Sequence, residues 1–181
     1  MQKARLYLKF LLGVFMDELL DLVDQDDNVI GSMYRDDVYA KGLSNFRVIN
    51  AFLKNAKGEV WIPLRTANKR VFPLHLDMSV GGHVSSGESY YEAFSREVLE
   101  ELNINITTVS YRNIGLFVPH KHNVSAFQTI YEIDYDQDPE FNRNDFIEGQ
   151  WILPADALKL ILSGQKSKSD LPKLLHLVYG V

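Results

Sequence analysis

Three glutamates on one predicted helix are the side chains of this chain best suited to chemistry. Glu97, Glu100 and Glu101 follow a pair of glycines in a stretch of helical periodicity. At about 100° per residue, Glu101 lies about 40° from Glu97 on one side and Glu100 about 60° on the other, so the three carboxylates share one face. Like charges at this spacing repel each other. A hard divalent cation such as Mg²⁺ removes that repulsion by taking oxygen ligands, so the pattern predicts a metal site.

The opposite face of the same helix is predicted to pack on a core. Its apolar residues recur at three- and four-residue spacing and are Tyr91, Phe94, Val98 and Leu102. Ser89 and Glu92 form the pattern of a capping box, which begins a helix. We therefore expect a helix with a buried back that presents its acids to a cleft.

The stretch from Gly82 to Ile104 resembles the signature of the Nudix hydrolases, G-x5-E-x7-R-E-U-x-E-E-x-G-U, where U is a bulky aliphatic residue. The matching positions are Gly82, Glu88, Arg96, Glu97, Val98, Glu100, Glu101 and Ile104. Asn103 stands where the signature has its second glycine. Asparagine is the usual substitute for glycine at a left-handed helix end, so this departure leaves the chemistry in place. The lead-in FPLHLDMSVGGHV resembles the branch that includes isopentenyl diphosphate isomerases and related bacterial Nudix hydrolases.

The resemblance implies an α/β fold, an α/β/α sandwich with a mixed sheet, and a metal-dependent activity. That activity is hydrolysis of a diphosphate linkage in a nucleoside diphosphate derivative or a related phosphoanhydride. Glu97, Glu100 and Glu101 are expected to hold Mg²⁺, with Mn²⁺ as an alternative, and the backbone carbonyl of Gly82 to join them. Arg96 is expected to orient a carboxylate through a bidentate hydrogen bond. For Glu88, a salt bridge to Arg96 and a supporting role near the metal stay open.

Residues outside the signature must supply the general base and the substrate contacts. Glu148, three residues before Trp151, is the preferred base. Glu140 in the acidic loop and a glutamate of the signature are its rivals. Arg65 ends a predicted strand and is a candidate for binding phosphate, although a solvated charge is the plainer interpretation. His83, His120 and His122 are interpreted as residues beside the site or in loops, without a metal.

Two other functions compete with hydrolysis. A non-catalytic domain that senses a nucleotide would not need every acidic position of the signature, and this chain keeps them all. An isopentenyl diphosphate isomerase relies on a cysteine, and this chain contains none. Hydrolysis is therefore the preferred prediction.

Composition limits the classes of partner that this protein is expected to bind. The 181 residues are 46% hydrophobic and 24% charged, which is typical of a globular domain, and the net charge is −5. There is no basic excess for a nucleic acid polymer, and the absence of cysteine excludes disulfides and thiolate metal sites. We expect a small diphosphate as substrate, no membrane partner and a cytoplasmic location. Family members are often dimers, so the resemblance leaves a homodimer open.

Periodicity divides the chain into an N-terminal helical extension at residues 1–24 and a Nudix domain at residues 25–181. The helix is predicted over residues 3–23, and residues 1–15 are either part of the extension or the result of an upstream start codon. Strands are predicted at 29–33, 47–53, 59–65, 78–80, 110–118, 125–134 and 149–152. Loops at 66–71 and 136–145 are expected to contact the leaving group. Further helices are predicted at 154–162 and 171–179, each with an early proline.

Overall fold

The computed structural model describes residues 17–181, and a mixed six-stranded sheet lies at its centre. The strands are β1 (Leu19–Val23), β2 (Val29–Tyr34), β3 (Arg47–Lys54), β4 (Val60–Arg65), β5 (Val80–His83), β6 (Tyr111–Phe117), β7 (Phe127–Asp134) and β8 (Phe146–Ile152). The central order is β6-β7-β3-β4-β8, and β5 pairs with β3. The β3–β7 pair is parallel and the other pairs are antiparallel. Strands β1 and β2 form a separate antiparallel pair.

Helices cover both faces of the central sheet. They are α1 (Arg35–Ala40), α2 (Tyr90–Leu102), α3 (Pro119–His122), α4 (Pro154–Leu162) and α5 (Leu171–Tyr179), with a 3₁₀ turn at Ile106–Thr108. One core cluster packs α2 against residues such as Ile49 and Trp61. The other packs α4 and α5 against residues such as Phe52 and Ile62. The predicted α/β/α sandwich with a mixed sheet is confirmed.

Helix α2 begins and ends as its residues predict. Ser89 and Glu92 form the complete capping box, and Asn103 adopts the left-handed conformation with φ 54° and ψ 26°. The back of the helix is buried at Phe94, Val98 and Leu102. Tyr91 is about half exposed (49%), so its assignment to the core was wrong.

The N-terminal helix prediction is wrong where the structure describes it. Leu19–Val23 is strand β1, which pairs with β2 through the turn at Asp24–Asn28. Leu20 and Val23 are buried in this strand. A short apolar run of this kind is compatible with the period of a helix or of a strand, and pairing with another strand decides between the two. The rest of the predicted helix lies outside the described residues. The division of the chain at residue 24 stays a prediction, although β1 pairs across it.

The remaining differences concern short elements. Helices α1 and α3 and the 3₁₀ turn were not predicted because each is too short to show a helical period. Strand β8 begins at Phe146 rather than at Gly149, which places Glu148 within the strand. Within residues 17–181, no helix has the length and apolar character needed to cross a bilayer.

Candidate metal centre and active site

Two glycines on β5 allow the acids of α2 to approach the strand. The backbone N–H of Gly81 donates to Glu101 Oε2 at 3.0 Å. A Cβ atom at Gly82 would stand 2.0 Å from Glu97 Oε1, so only glycine leaves room for that side chain. Glu101 is 6% exposed, and the Glu97 side chain is 13% exposed. The predicted acidic face of α2 therefore packs the two buried carboxylates of Glu97 and Glu101 against the backbone of β5.

The backbone of β5 alternates between strand β3 and a free edge. Val84 N donates to Arg47 O on β3 at 3.0 Å, whereas Gly81 N and His83 O bond to side chains of α2. In an antiparallel pair the N–H and C=O of one residue point to the same side. Gly82 therefore directs its carbonyl toward β3, where it pairs with Ile49. This corrects the prediction: the carbonyl on the free edge beside the acids belongs to Gly81.

Arg96 orients two carboxylates and one carbonyl. Its Nε and Nη2 atoms donate to the two oxygens of Glu88, each at 2.9 Å, which is the predicted bidentate geometry. Its Nη1 atom donates to Glu97, and Nη2 also donates to His83 O at 3.0 Å. Glu88 thus forms the salt bridge that the sequence left open, and it also accepts from Ser85 N at 3.0 Å.

Glu100 differs from the other two acids of the helix. Its carboxylate lies 3.6 Å from Arg96 Nη1, and its side chain is 46% exposed. Within residues 17–181, no three Asp, Glu or His side chains converge as a complete set of metal ligands. The structure thus brings Glu97 and Glu101 together on the edge of β5, with Glu100 beside them at the surface.

Burial disfavours the charged forms of the two inner acids, Glu97 and Glu101. Desolvation raises the pKa of Glu97 to about 7, against the lowering effect of Arg96. Burial, followed by the charges of Glu97 and Asp77, raises the pKa of Glu101 well above its ordinary value, and the N–H of Gly81 offsets this only in part. Buried carboxylates that lack a matching cation are costly. An all-oxygen donor set of this charge fits a hard divalent cation.

Glu148 lies on the opposite face of the sheet from these acids. It pairs across strands with Leu64 and lines a cavity of about 350 Å³ with Ile62, Leu76 and Leu160, on the α4 side. A Cβ atom on the neighbouring Gly149 would collide with Trp61 on the α2 side. Position 149 therefore faces α2, and Glu148 faces the other side of the sheet. The structure therefore contradicts the prediction that Glu148 is the base. Its rival Glu140 contacts Asn103 at the end of α2, at 3.4 Å.

Arg65 uses its guanidinium within the chain. Nε donates to Phe72 O at 3.1 Å, Nη2 to Val71 O at 3.0 Å, and Nη1 to Asp77 Oδ2 at 2.5 Å. It therefore anchors the loop at 66–75 beside Asp77. Direct binding of phosphate by Arg65 stays a prediction.

Asp145 is the acidic residue that sequence reasoning missed. Its charge contributes to the raised pKa of Glu101. Its carboxylate pairs with Lys69, and its backbone O accepts from Thr66 N at 3.0 Å, so the two predicted recognition loops meet here. The sequence signal for Asp145 was its position directly before the last strand. The other acidic residues of the loop at 136–145 made it hard to single out.

The histidines form local contacts. His83 Nε2 lies 2.7 Å from the Tyr39 hydroxyl, and its Nδ1 lies 3.3 Å from Glu18. His122 Nδ1 accepts from Val118 N at 2.8 Å within α3. His120 packs against Phe127.

Comparisons with known proteins agree with this geometry. The NUDIX domain family matches residues 45–174. An uncharacterised Nudix hydrolase from Nostoc sp. is 48% identical over 163 residues, which cover 90% of this chain and 96% of that protein. A Nudix hydrolase from Deinococcus radiodurans is 44% identical over 168 residues, 93% of this chain and 98% of that protein. A crystal structure of a D. radiodurans protein superposes with a TM-score of 0.85 at 44% identity, and covers 90% of this chain and 99% of that one. Isopentenyl-diphosphate Delta-isomerases are among the more distant relatives.

Proposed function

The chain belongs to the Nudix hydrolase family, and on that premise we propose that it is a Mg²⁺-dependent hydrolase of a nucleoside diphosphate derivative or a related phosphoanhydride. The family acts on phosphoanhydride bonds of small molecules and is generally metal-dependent. The observation that supports the metal most strongly is the buried pair Glu97 and Glu101, whose pKa values are raised by burial although Arg96 contacts Glu97.

We propose Glu97, Glu101 and the carbonyl of Gly81 as the residues that hold the cation, with Glu100 as the outer carboxylate. All four supply oxygen, which Mg²⁺ prefers and Mn²⁺ accepts. When bound, such an ion stabilises charge on the phosphoryl oxygens and favours ionisation of water.

The chain's own residues position the acids and accept a proton. Arg96 fixes Glu97 and Glu88 from one side, which keeps the acids in place before substrate binds. Asp145 is the proposed general base, because it lies beside Glu101 on the loop that packs on the end of α2. Its partner Lys69 contacts this carboxylate and fixes its position, and a carboxylate within reach of the attacking water can take its proton.

Two alternatives are less well supported. A sensor that binds without cleaving has no need of the buried acids Glu97 and Glu101 with their raised pKa values. An isomerase of isopentenyl diphosphate relies on a cysteine, and the sequence has none.

The test is release of phosphate from a panel of nucleoside diphosphate derivatives with Mg²⁺. We expect Glu101→Gln to lower turnover by about a hundredfold or more, since a positioned carboxylate of a metal site is lost, while the far-UV spectrum is unchanged. Asp145→Asn should also lower turnover, and Glu148→Gln on the opposite face should not. Equal activity of wild type and Glu101→Gln would overturn the assignment of the acids, and release from no member of the panel would favour the sensor.

A further inference from the structure

A buried carboxylate with two cations lies next to the acidic pair. Asp77 is 2% exposed. Arg65 Nη1 is 2.5 Å from its Oδ2 atom, and Lys168 Nζ is 3.2 Å from its Oδ1 atom. Asp77 is also close enough to act on the charge of Glu101. One carboxylate neutralises one cation, so Asp77, Arg65 and Lys168 together carry an excess of positive charge.

The two cations are engaged to different degrees. Arg65 also donates to the carbonyls of Val71 and Phe72, so each of its three guanidinium nitrogens has a partner. Lys168 has three donors on its ammonium. Within residues 17–181, Asp77 is the single polar partner of that ammonium, and the side chain is 24% exposed. Lys168 is therefore the cation of this pair with capacity for a further anion.

The backbone holds Lys168 in a fixed position. Leu76 N donates to Lys166 O at 2.9 Å, and Lys168 N donates to Leu76 O at 2.8 Å. Leu171 N donates to Lys168 O at 3.1 Å at the start of α5. These bonds tie the segment before α5 to the segment before β5. These bonds fix the backbone, and the contact with Asp77 holds the ammonium, which lowers the entropy that it loses when it binds an anion.

The bare Cα of Gly81 places the edge of β5 beside the ammonium of Lys168. A Cβ atom at this position would stand 3.5 Å from Lys168 Nζ and 2.6 Å from Asn50 Oδ1. The N–H of the same glycine donates to Glu101. One residue of β5 thus contacts the acid pair through its backbone and faces Lys168 with its bare Cα.

We propose that Lys168 binds a non-bridging phosphate oxygen of the substrate's diphosphate and is a further substrate-positioning residue of this enzyme. The proposal rests on the proposed function and adds a contact outside the signature. An ammonium binds phosphate as a point charge, and Lys168 approaches the edge of β5 from the α5 side, whereas Glu97 approaches from the α2 side.

The test is calorimetric binding of methylenediphosphonate, a diphosphate that is not hydrolysed, in the presence of Mg²⁺. Lys168→Met should weaken binding by about ten- to a hundredfold, the loss typical of a hydrogen bond to a charged group. Lys168→Arg should retain most of the affinity. Lys166→Met is the matched control, because the Lys166 side chain is exposed and the residue contacts Leu76 through its backbone carbonyl. The affinity of this variant for the probe should equal that of wild type. In turnover assays, Lys168→Met should raise KM by a similar factor and leave kcat nearly unchanged.

A second variant separates phosphate binding from simple neutralisation of Asp77. If Lys168 only neutralises that carboxylate, the double variant Lys168→Met/Asp77→Asn regains wild-type affinity, and the proposal is overturned. Wild-type affinity in Lys168→Met alone, or no binding of the probe by wild type, would overturn it as well. Failure of the proposed function looks different: wild type then binds the probe and hydrolyses no substrate, and the affinity ratio still decides the role of Lys168.

Discussion

Two carboxylates of this molecule are equally buried and have opposite environments. Asp170, at the start of α5, is 5% exposed, and Glu101 on α2 is 6% exposed. Asp170 accepts from Ser125 N, Ser125 Oγ and Gln128 Nε2 at 2.6–3.0 Å, and Lys173 lies 3.2 Å away. Within residues 17–181, the carboxylate of Glu101 accepts a single hydrogen bond, from Gly81 N.

The pKa of each group follows from these contacts. Burial opposes the charge of Asp170, but its hydrogen bonds outweigh burial, and its pKa is lowered. Burial and the neighbouring acids raise the pKa of Glu101 well above its ordinary value. The chain therefore satisfies a buried carboxylate where the role is structural and leaves one unsatisfied where α2 meets β5. This difference supports the proposal that a cation from outside the chain completes the site around Glu101.

The largest effect is expected on stability, from a substitution of Asp170. Asp170→Asn turns an acceptor of several bonds into a group that presents its own N–H donors to Ser125 and Gln128. Each unsatisfied buried donor costs about 1–3 kcal/mol, so the free energy of unfolding should fall by roughly 3 kcal/mol in denaturant titration. Asp156→Asn is the control: it removes an exposed pair with Lys159, and its unfolding curve should match wild type. Equal curves for Asp170→Asn and wild type would refute a structural role of the Asp170 network.

A smaller effect is expected where β5 meets α2. In Gly82→Ala the new Cβ collides with Glu97, and the carboxylate must move away from the edge of β5. Displacing a catalytic group by about 1 Å costs up to a hundredfold in rate, so turnover should fall about tenfold or more, with unfolding changed by only about 1 kcal/mol. Gly31→Ala on β2 meets nothing within 4 Å and should change neither quantity. Full activity of Gly82→Ala would show that the position of Glu97 is not critical.

The acidic helix could be predicted from sequence because its signals are local. The capping box at Ser89, the left-handed end at Asn103 and the packed back of α2 all depend on residues a few positions apart. The bidentate contact of Arg96 with Glu88 also joins elements that are close in sequence.

The contacts that complete the site depend on the packing of distant segments. The face of β8 that carries Glu148 is decided by its register with β4, and one residue of shift reverses it. The positions of Asp145 and Lys168 depend on bonds to Thr66 and Leu76, which are distant in sequence. The strand at Leu19–Val23 forms because β2 and Phe46 lie beside it, which a helical period in isolation could not reveal.

The central claim is that Glu101 is a buried acid held for a cation, and its effect on stability tests this most directly. A raised folded pKa means that the folded state favours the protonated acid, so stability falls as the pH rises from the ordinary pKa of a glutamate toward the raised folded pKa, and it stays lower above that. Glutamine mimics the protonated acid. In EDTA, Glu101→Gln should therefore melt higher than wild type at pH 9 and nearly equal to it at pH 5, and Mg²⁺ should raise the melting temperature of wild type more than that of the variant. A variant that is destabilised in EDTA at pH 9, or that gains as much from Mg²⁺ as wild type, would contradict the account.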